Sequence, residues 1–471
     1  MRSLIPVILV VGPFVACGDG PAPGSGSDTD AGEVVVDSGT DIDSAVGDID
    51  AAPIPEDTAA YFVGDFTTNN VLELGRATFP GPAVSALSLD GIPATPFLRV
   101  GVARAGNVIV AAAYDNSTIT IIRAYDSDLG NPRTLLSDET GAVSINDLAV
   151  SPDGALVAIT ADLDTDNAHR LYVIPTSGTG SPKALHPDTG NAQRDTDRIM
   201  WSRDSAHILF RGDLETNNHN QAWVVDATAA TPTPVELTAS VTLTGGAGVN
   251  DLVGFDNAGK VYFQSDHASD GSDSLYRADP GGGNFEEVPF TAALMNGDGK
   301  ATIGKCAFNS VGTRLAFSAD APTDNVYQVY VTDIASPAPA VVSAVISESA
   351  QERGPLRNNP MVWSPDDSLI AAGADWEDGD NDTAIFMLPT SGTPGGTKLV
   401  APISGGDVQA LAFALDSASL FAVGNMDDAT DTKLYHLTDL STADQDASTL
   451  ILQDVPASGD IAAESLQVVA E

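Results

Sequence analysis

The chain has 471 residues and carries 65 acidic against 21 basic side chains, a formal net charge of −44 at pH 7. That balance excludes nucleic acid as a partner, because its binding rests on Lys and Arg neutralising phosphates, and it disfavours anionic lipid surfaces on the same ground. Basic proteins, cations and neutral ligands fit better.

Arg2 supplies a positive start, and Leu4 to Val11 form an apolar core too short to span a bilayer as a helix. Phe14-Val15-Ala16-Cys17 closes the segment. This resembles the bacterial lipobox, in which a signal peptide is cut before a cysteine whose sulfur is lipidated; Phe14 stands where that pattern usually has Leu. The resemblance implies a signal peptide over 1–16 and a lipid on Cys17. Gly18, rather than Asp, follows the cysteine, which by the same resemblance favours the outer membrane. An ordinary secretory signal with an incidental cysteine is the plainer reading. With Cys17 modified, Cys306 is left alone and no intramolecular disulfide can form. Between Gly18 and Thr58 stand eleven acids and no base among Gly, Ser, Pro and Ala. Such a segment cannot bury enough apolar surface to order itself, so residues 17–58 read as an acidic tether reaching at least roughly 35 Å.

Residues 59–471 repeat one phrase: an apolar inner strand, a turn like Ser151-Pro152-Asp153-Gly154, a second strand, an acidic hairpin and a third strand. Clear copies of the turn follow Trp201 (Ser202-Arg203-Asp204) and Trp363 (Ser364-Pro365-Asp366-Asp367). Weaker copies begin at Phe255, Phe308 and Phe413. Anchors at Val102, Val150, Trp201, Gly254, Phe308, Trp363 and Phe413 are spaced 48, 51, 53, 54, 55 and 50 residues apart, the length of a four-stranded propeller blade. Residues 60–88 hold strands with no inner strand before them, and Glu464 to Val469 form an inner strand with nothing after it. The two ends therefore complete one shared blade. The fold class is all-β, an eight-bladed propeller of about 52 residues per blade; seven blades, the alternative, need about 59, longer than any interval observed. Sharing the ends also hides the edges an open array would expose.

The phrase Trp363-Ser364-Pro365-Asp366-Asp367-Ser368-Leu369-Ile370-Ala371-Ala372-Gly373 and its partners resemble the TolB-type, WD-like propeller repeat of bacterial envelope proteins. TolB itself has six blades and an N-terminal α/β domain, where this chain has a tether. Eight-bladed propellers of prolyl-oligopeptidase relatives precede a hydrolase domain, and no G-x-S-x-G elbow occurs in this sequence. The resemblance implies an envelope location and a protein-binding habit, while fold alone does not fix function.

The turns, with Pro presetting φ and Gly taking the awkward dihedral, read as structural. Three residues before the anchors stand Arg99, Asp147, Arg198, Asp251 and Lys305, alternating in sign. Loops at that end ring the mouth of a propeller channel, so these five form a candidate binding set; interblade salt bridges that bind nothing are the alternative. The hairpins on the same face are acidic. Asp162-x-Asp164-x-Asp166 imitates the start of a calcium loop, departing at Asn167 and Val173, and with Asp375, Asp378 and Asp380 it forms a candidate Ca²⁺ set, against plain turn chemistry. The six histidines form no H-x-x-x-H pair, which argues against zinc or a histidine base. Cys306 reads as a buried thiol, and Trp376 reads equally as an exposed partner anchor or as folded onto its blade.

The expectation is a monomeric, lipid-anchored, non-enzymatic binding or scaffold module of the envelope, presenting its channel mouth to a protein partner or a periplasmic ligand. The rivals are a propeller-type polysaccharide lyase or hydrolase and a Ca²⁺-stabilised surface protein.

Overall fold

The turn phrase reverses the chain by its own chemistry. In the computed structural model of the protein, Ser151 Oγ donates to Asp153 Oδ1 at 2.6 Å and accepts the Leu156 N–H at 3.0 Å, closing the turn from inside. Gly154, at φ +74°, takes the left-handed position. Ser202 with Asp204 and Ser364 with Asp366 repeat the pattern, receiving the N–H of His207 at 2.8 Å and of Leu369 at 2.9 Å.

The structure describes residues 58–470 except 65–70, 80–82, 94–96, 103–107, 116–118, 139–142, 166–167, 188–194, 216–218, 240–247, 268–271, 297–298, 344–354, 356–358, 377–382, 392–393, 454, 456–460 and 463–465; side chains of 71–72, 83, 89–93, 97–102, 113–115, 119–120 and 469–470 are also outside it. The signal peptide, Cys17 and the tether lie outside the described residues.

Eight antiparallel four-stranded sheets are present among them. Blade I takes Thr58–Gly64, Val71–Phe79 and Ala83–Pro93, with Gln467–Ala470 as its innermost strand. The innermost strands of blades II to VIII are Phe97–Val102, Ile145–Val150, Thr196–Trp201, Val249–Phe255, Ile303–Phe308, Met361–Trp363 and Val408–Phe413. The sequence anchors are the last residues of these strands in every blade but V, where Phe255 follows Gly254. That blade carries a second β-bulge between Leu252 and Gly254, and Gly254 (φ +119°) absorbs the extra residue. The closing strand pairs Ala470 with Thr58 and Gln467 with Tyr61.

Apolar cores lie between blades, and there are eight of them among the described residues. Alternate residues of Thr58–Gly64 feed two: Ala59, Tyr61 and Val63 face blade II, while Ala60 and Phe62 face blade VIII. Each second strand is thus buried on both sides, which is why these strands read as apolar runs. The tryptophans lock seams: the Trp201 indole N–H donates to the Ala149 carbonyl and that of Trp363 to the Ala307 carbonyl, both at 2.9 Å. A short helix, Pro289–Ala292, and a hairpin, Met295–Asn296 with Gly299–Lys300, are inserted between blades V and VI. No described helix is long and apolar enough to cross a membrane.

Candidate functional site

At the end of the ring opposite the turns, the chain enters each inner strand. In five blades, III, IV, V, VI and VIII, a carboxylate or amide just after the second strand accepts a backbone N–H from this lead-in. Asp213 Oδ1 takes that of Asp195 (2.6 Å), Asp266 that of Gly248 (2.8 Å), Asp320 that of Thr302 (2.6 Å), and Asn425 that of Asp407 (2.7 Å); Asp162 takes that of Ser144. The N–H of each clamp residue returns to the same lead-in carbonyl at 3.1–3.3 Å. Each clamp stands twelve residues after its anchor, a column visible in the sequence and shared by Asp375. The first acid of the hairpins of blades III to VI, Asp162, Asp213, Asp266 and Asp320, is therefore a structural group that holds backbone. Burial pushes the Asp320 carboxyl above the usual range, against the lowering effect of the bonds it accepts.

The charged set lies just inside the clamps. β-Bulges break the ladders of blades III, IV, V and VI there, and such bulges re-aim side chains. Arg198 occupies its bulge in the left-handed region, at φ +47°. Its Nη1 donates to Asp251 Oδ1 at 3.0 Å, and Lys305 Nζ lies 3.9 Å from Asp251 Oδ2. Asp251 also accepts the Leu252 N–H at 3.0 Å. Asp147 turns to the seam instead, accepting the N–H of Ile199 in the next blade at 2.9 Å. Arg99 lies on Phe97–Val102, and its side chain is outside the described residues. The structure thus joins Arg198, Asp251 and Lys305 into one group spanning three blades.

That group caps a central cavity of about 950 Å³, lined below it by the inner strands, including Trp201, Phe255, Cys306 and Trp363. Arg211 braces the mouth from behind, paired with Asp197 and donating to the Asn250 carbonyl at 2.9 Å. Among the described residues, Arg198 has no partner besides Asp251, and the Lys305 ammonium has none within hydrogen-bond distance. Two cations therefore converge on one carboxylate with N–H donors unspent.

Of the Ca²⁺ set, Asp162, Asp164 and Asp375 are described, and they are not gathered into one group of metal ligands. Asp162 is a clamp, and Asp164 pairs with Arg170 and accepts the Tyr172 hydroxyl at 2.9 Å. Blade VIII repeats the arrangement with Asp427, Lys433 and Tyr435. Asp166, Asp378 and Asp380 lie outside the described residues. Among those described, no group of three or more His, Cys, Asp or Glu side chains could hold a metal. Trp376 is buried, its indole N–H on the Tyr327 carbonyl at 2.9 Å and its ring edge-on to Phe386. Cys306 is buried in its inner strand, and burial, then the nearby Asp251, pushes its thiol pKa far up, opposed by Lys305.

One histidine does meet a lead-in. His169 Nε2 lies 2.8 Å from Ser144 Oγ, and its Nδ1 lies 3.1 Å from Asp195 Oδ1. Neither contact is legible in sequence, because the three residues come from separate segments of two blades.

No protein-family model matches the chain. No curated protein matches it. Solved structures similar to it include a TolB protein from Agrobacterium tumefaciens (15% identity over 61% of this chain and 88% of that one, TM-score 0.34). A prolyl endopeptidase matches at 14% identity over 79% of this chain and 50% of its own, with a TM-score of 0.50. Oligogalacturonate lyase, solved with manganese, matches at 11% identity over 81% and 96%, with a TM-score of 0.49. What this chain has in common with the prolyl endopeptidase is the fold, and the fold of this chain is the β-propeller.

Proposed function

We propose that the protein is an envelope recognition module, anchored through a lipid on Cys17, that takes a small carboxylate-bearing ligand into its channel mouth. One observation carries the reading. In a chain of net charge −44, Arg198 and Lys305 face a cavity of about 950 Å³ with donors unspent and, among the described residues, only Asp251 to share. A cavity near the upper end of the ~300–1,000 Å³ typical of ligand pockets suits a compact ligand rather than a flat protein surface. Planar guanidinium binds carboxylate through paired bonds, and the ammonium adds a point charge. The left-handed Arg198 backbone, a conformation costing about 1–2 kcal/mol for a residue with a Cβ, is the kind of strain held at sites in use.

The test is calorimetric titration of the purified chain with acetate, succinate, citrate and galacturonate. At least one should bind saturably, and the Arg198→Ala/Lys305→Ala variant should weaken it by about 10–100-fold, the loss of one or two charge-assisted bonds. No binding by any of the four, or equal binding by the variant, overturns the reading.

A further inference from the structure

We propose that Ser144, His169 and Asp195 form a nucleophile, base and orienter that make Ser144 Oγ an acyl acceptor. The connectivity is the one acyl transfer requires: hydroxyl to Nε2 at 2.8 Å and carboxylate to Nδ1 at 3.1 Å. A carboxylate only accepts, so in the neutral ring Nδ1 carries the proton and Nε2 turns its lone pair to the serine hydroxyl. Each member is held from behind. Asp162 clamps the Ser144 backbone and Asp213 that of Asp195. The His169 N–H donates to the same Asp195 Oδ1 at 3.0 Å, and its carbonyl accepts the Thr196 N–H at 3.0 Å. The His169 side chain is 14% exposed and that of Asp195 50%, so the set is held yet open to solvent.

The repeat supplies an internal control. Ser144 and Asp195 are the same position in successive blades, six residues before the anchor, where other blades carry Gly248, Thr302 and Asp407. The place of His169 is taken by Asn220, Asp273, Tyr327 and Thr432. Blades IV and V make the backbone bond that Thr196 makes to His169 with other residues in these places, Val249 N–H to the Asn220 carbonyl at 2.8 Å and Ile303 N–H to the Asp273 carbonyl at 2.9 Å. The aspartate has a use in the fold, since Asp407 accepts the Thr383 N–H at 3.2 Å much as Asp195 accepts that of His169; the serine and the histidine recur in none of these blades, and their meeting with that aspartate at one seam calls for a chemical explanation.

In the step, Ser144 Oγ attacks the carbonyl carbon of an ester and its proton passes to His169 Nε2. The C–O bond to the alcohol breaks, the alcohol leaves with that proton, and the acyl group stays on Oγ. Water, deprotonated by the same nitrogen, then releases the acid and restores the hydroxyl. Asp162 and Asp213 beside the set repel anionic substrates, so neutral or cationic esters are the class it would accept. The Ser144 N–H is committed to Asp162 and is not available to stabilise an oxyanion. A missing donor of that kind costs about 10²–10³ in rate, so covalent capture is a more sensitive readout than turnover.

The full chain is treated with an uncharged fluorophosphonate, and the adduct is located by intact mass and peptide mapping. The expected result is a single adduct on Ser144, absent from Ser144→Ala and formed about 10²–10⁴-fold more slowly in His169→Asn, which installs the residue blade IV uses at this place. An unchanged melting temperature of His169→Asn shows that the seam is intact. No adduct on Ser144, or an adduct formed equally fast in His169→Asn, overturns the proposal.

Discussion

The two faces of the ring use the same residue types to opposite ends. On the turn face, each Ser-x-Asp pair is spent on its own loop, and Ser205 and Ser417 each receive a backbone N–H from the preceding blade's turn at 3.1 Å. Within the three clear copies of the turn, Arg203 stands where the other two have Pro and donates to the carbonyls of Ser310 at 3.1 Å and Asn309 at 3.2 Å. On the mouth face the clamps repeat, but the side chains beside them do not: Arg198, Asp251 and Lys305 occur in three successive blades and His169 in one. In a repeat protein, what recurs holds the ring, and what varies against a recurring backbone is where chemistry resides.

The contrast can be broken most forcefully at a seam. Trp363→Ala removes a buried indole, its bond to the Ala307 carbonyl and its contact with the Arg314 guanidinium 5.0 Å from the ring centroid. It should cost about 3–5 kcal/mol in urea unfolding, whereas Arg198→Ala should stay within about 0.5 kcal/mol. Should Arg198→Ala prove the more damaging, the mouth is stitching rather than a site. Next in size, Ser364→Ala strips the turn of its donor to Asp366 and its acceptor for Leu369, and should cost about 1–2 kcal/mol with no effect on ligand titration.

At the mouth, Asp251→Asn keeps an acceptor for Arg198 and Leu252 while removing the shared negative charge. Carboxylate binding should tighten by about tenfold, some 1.4 kcal/mol, by the same titration. Looser binding would mean that Asp251 orients the cations rather than competing for them.

The smallest effects are in pH. Hydrogen bonds from Ser202 and the Ala206 N–H hold the Asp204 carboxyl below its usual range; those from Ser364 and Ser368 do the same at Asp366 against the upward push of burial. Carboxyls held low stabilise the fold above the unfolded range, and that contribution is lost as pH falls through their folded values. Asp320, held high by burial, works in reverse, favouring the fold at low pH and losing that favour as pH rises from the unfolded value toward the folded one. Melting temperatures from pH 3 to 7 should therefore show a shallower acid limb for Asp204→Asn. Asp320→Asn should melt higher than wild type at pH 7 and not at pH 3, since Asn425 already performs the clamp as an amide.

The ring itself was legible in sequence because its signals are local and repeated: turn phrases, anchor spacing, and the orphan strands at Tyr61 and Leu466 that complete one blade. Asp251 fell in the right column although its blade carries an extra residue, because the second bulge lies after it. The clamp column is equally readable, yet in sequence its acids look like those of any acidic hairpin, since only backbone geometry reveals whose N–H each one accepts. The fate of Trp376 and the meeting of Ser144, His169 and Asp195 depend on side chains crossing a seam, for which spacing within a blade carries no signal.

The pairing of residues 467–470 with 58–61 also has a meaning in time. A strand made at the start of the propeller keeps its inner edge bare until the last residues of the ring arrive. At about 5–20 residues per second that wait lasts on the order of tens of seconds. A chain delivered N-terminus first, by ribosome or by translocon, cannot close early around a missing blade; the ring becomes a checkpoint for its own completeness.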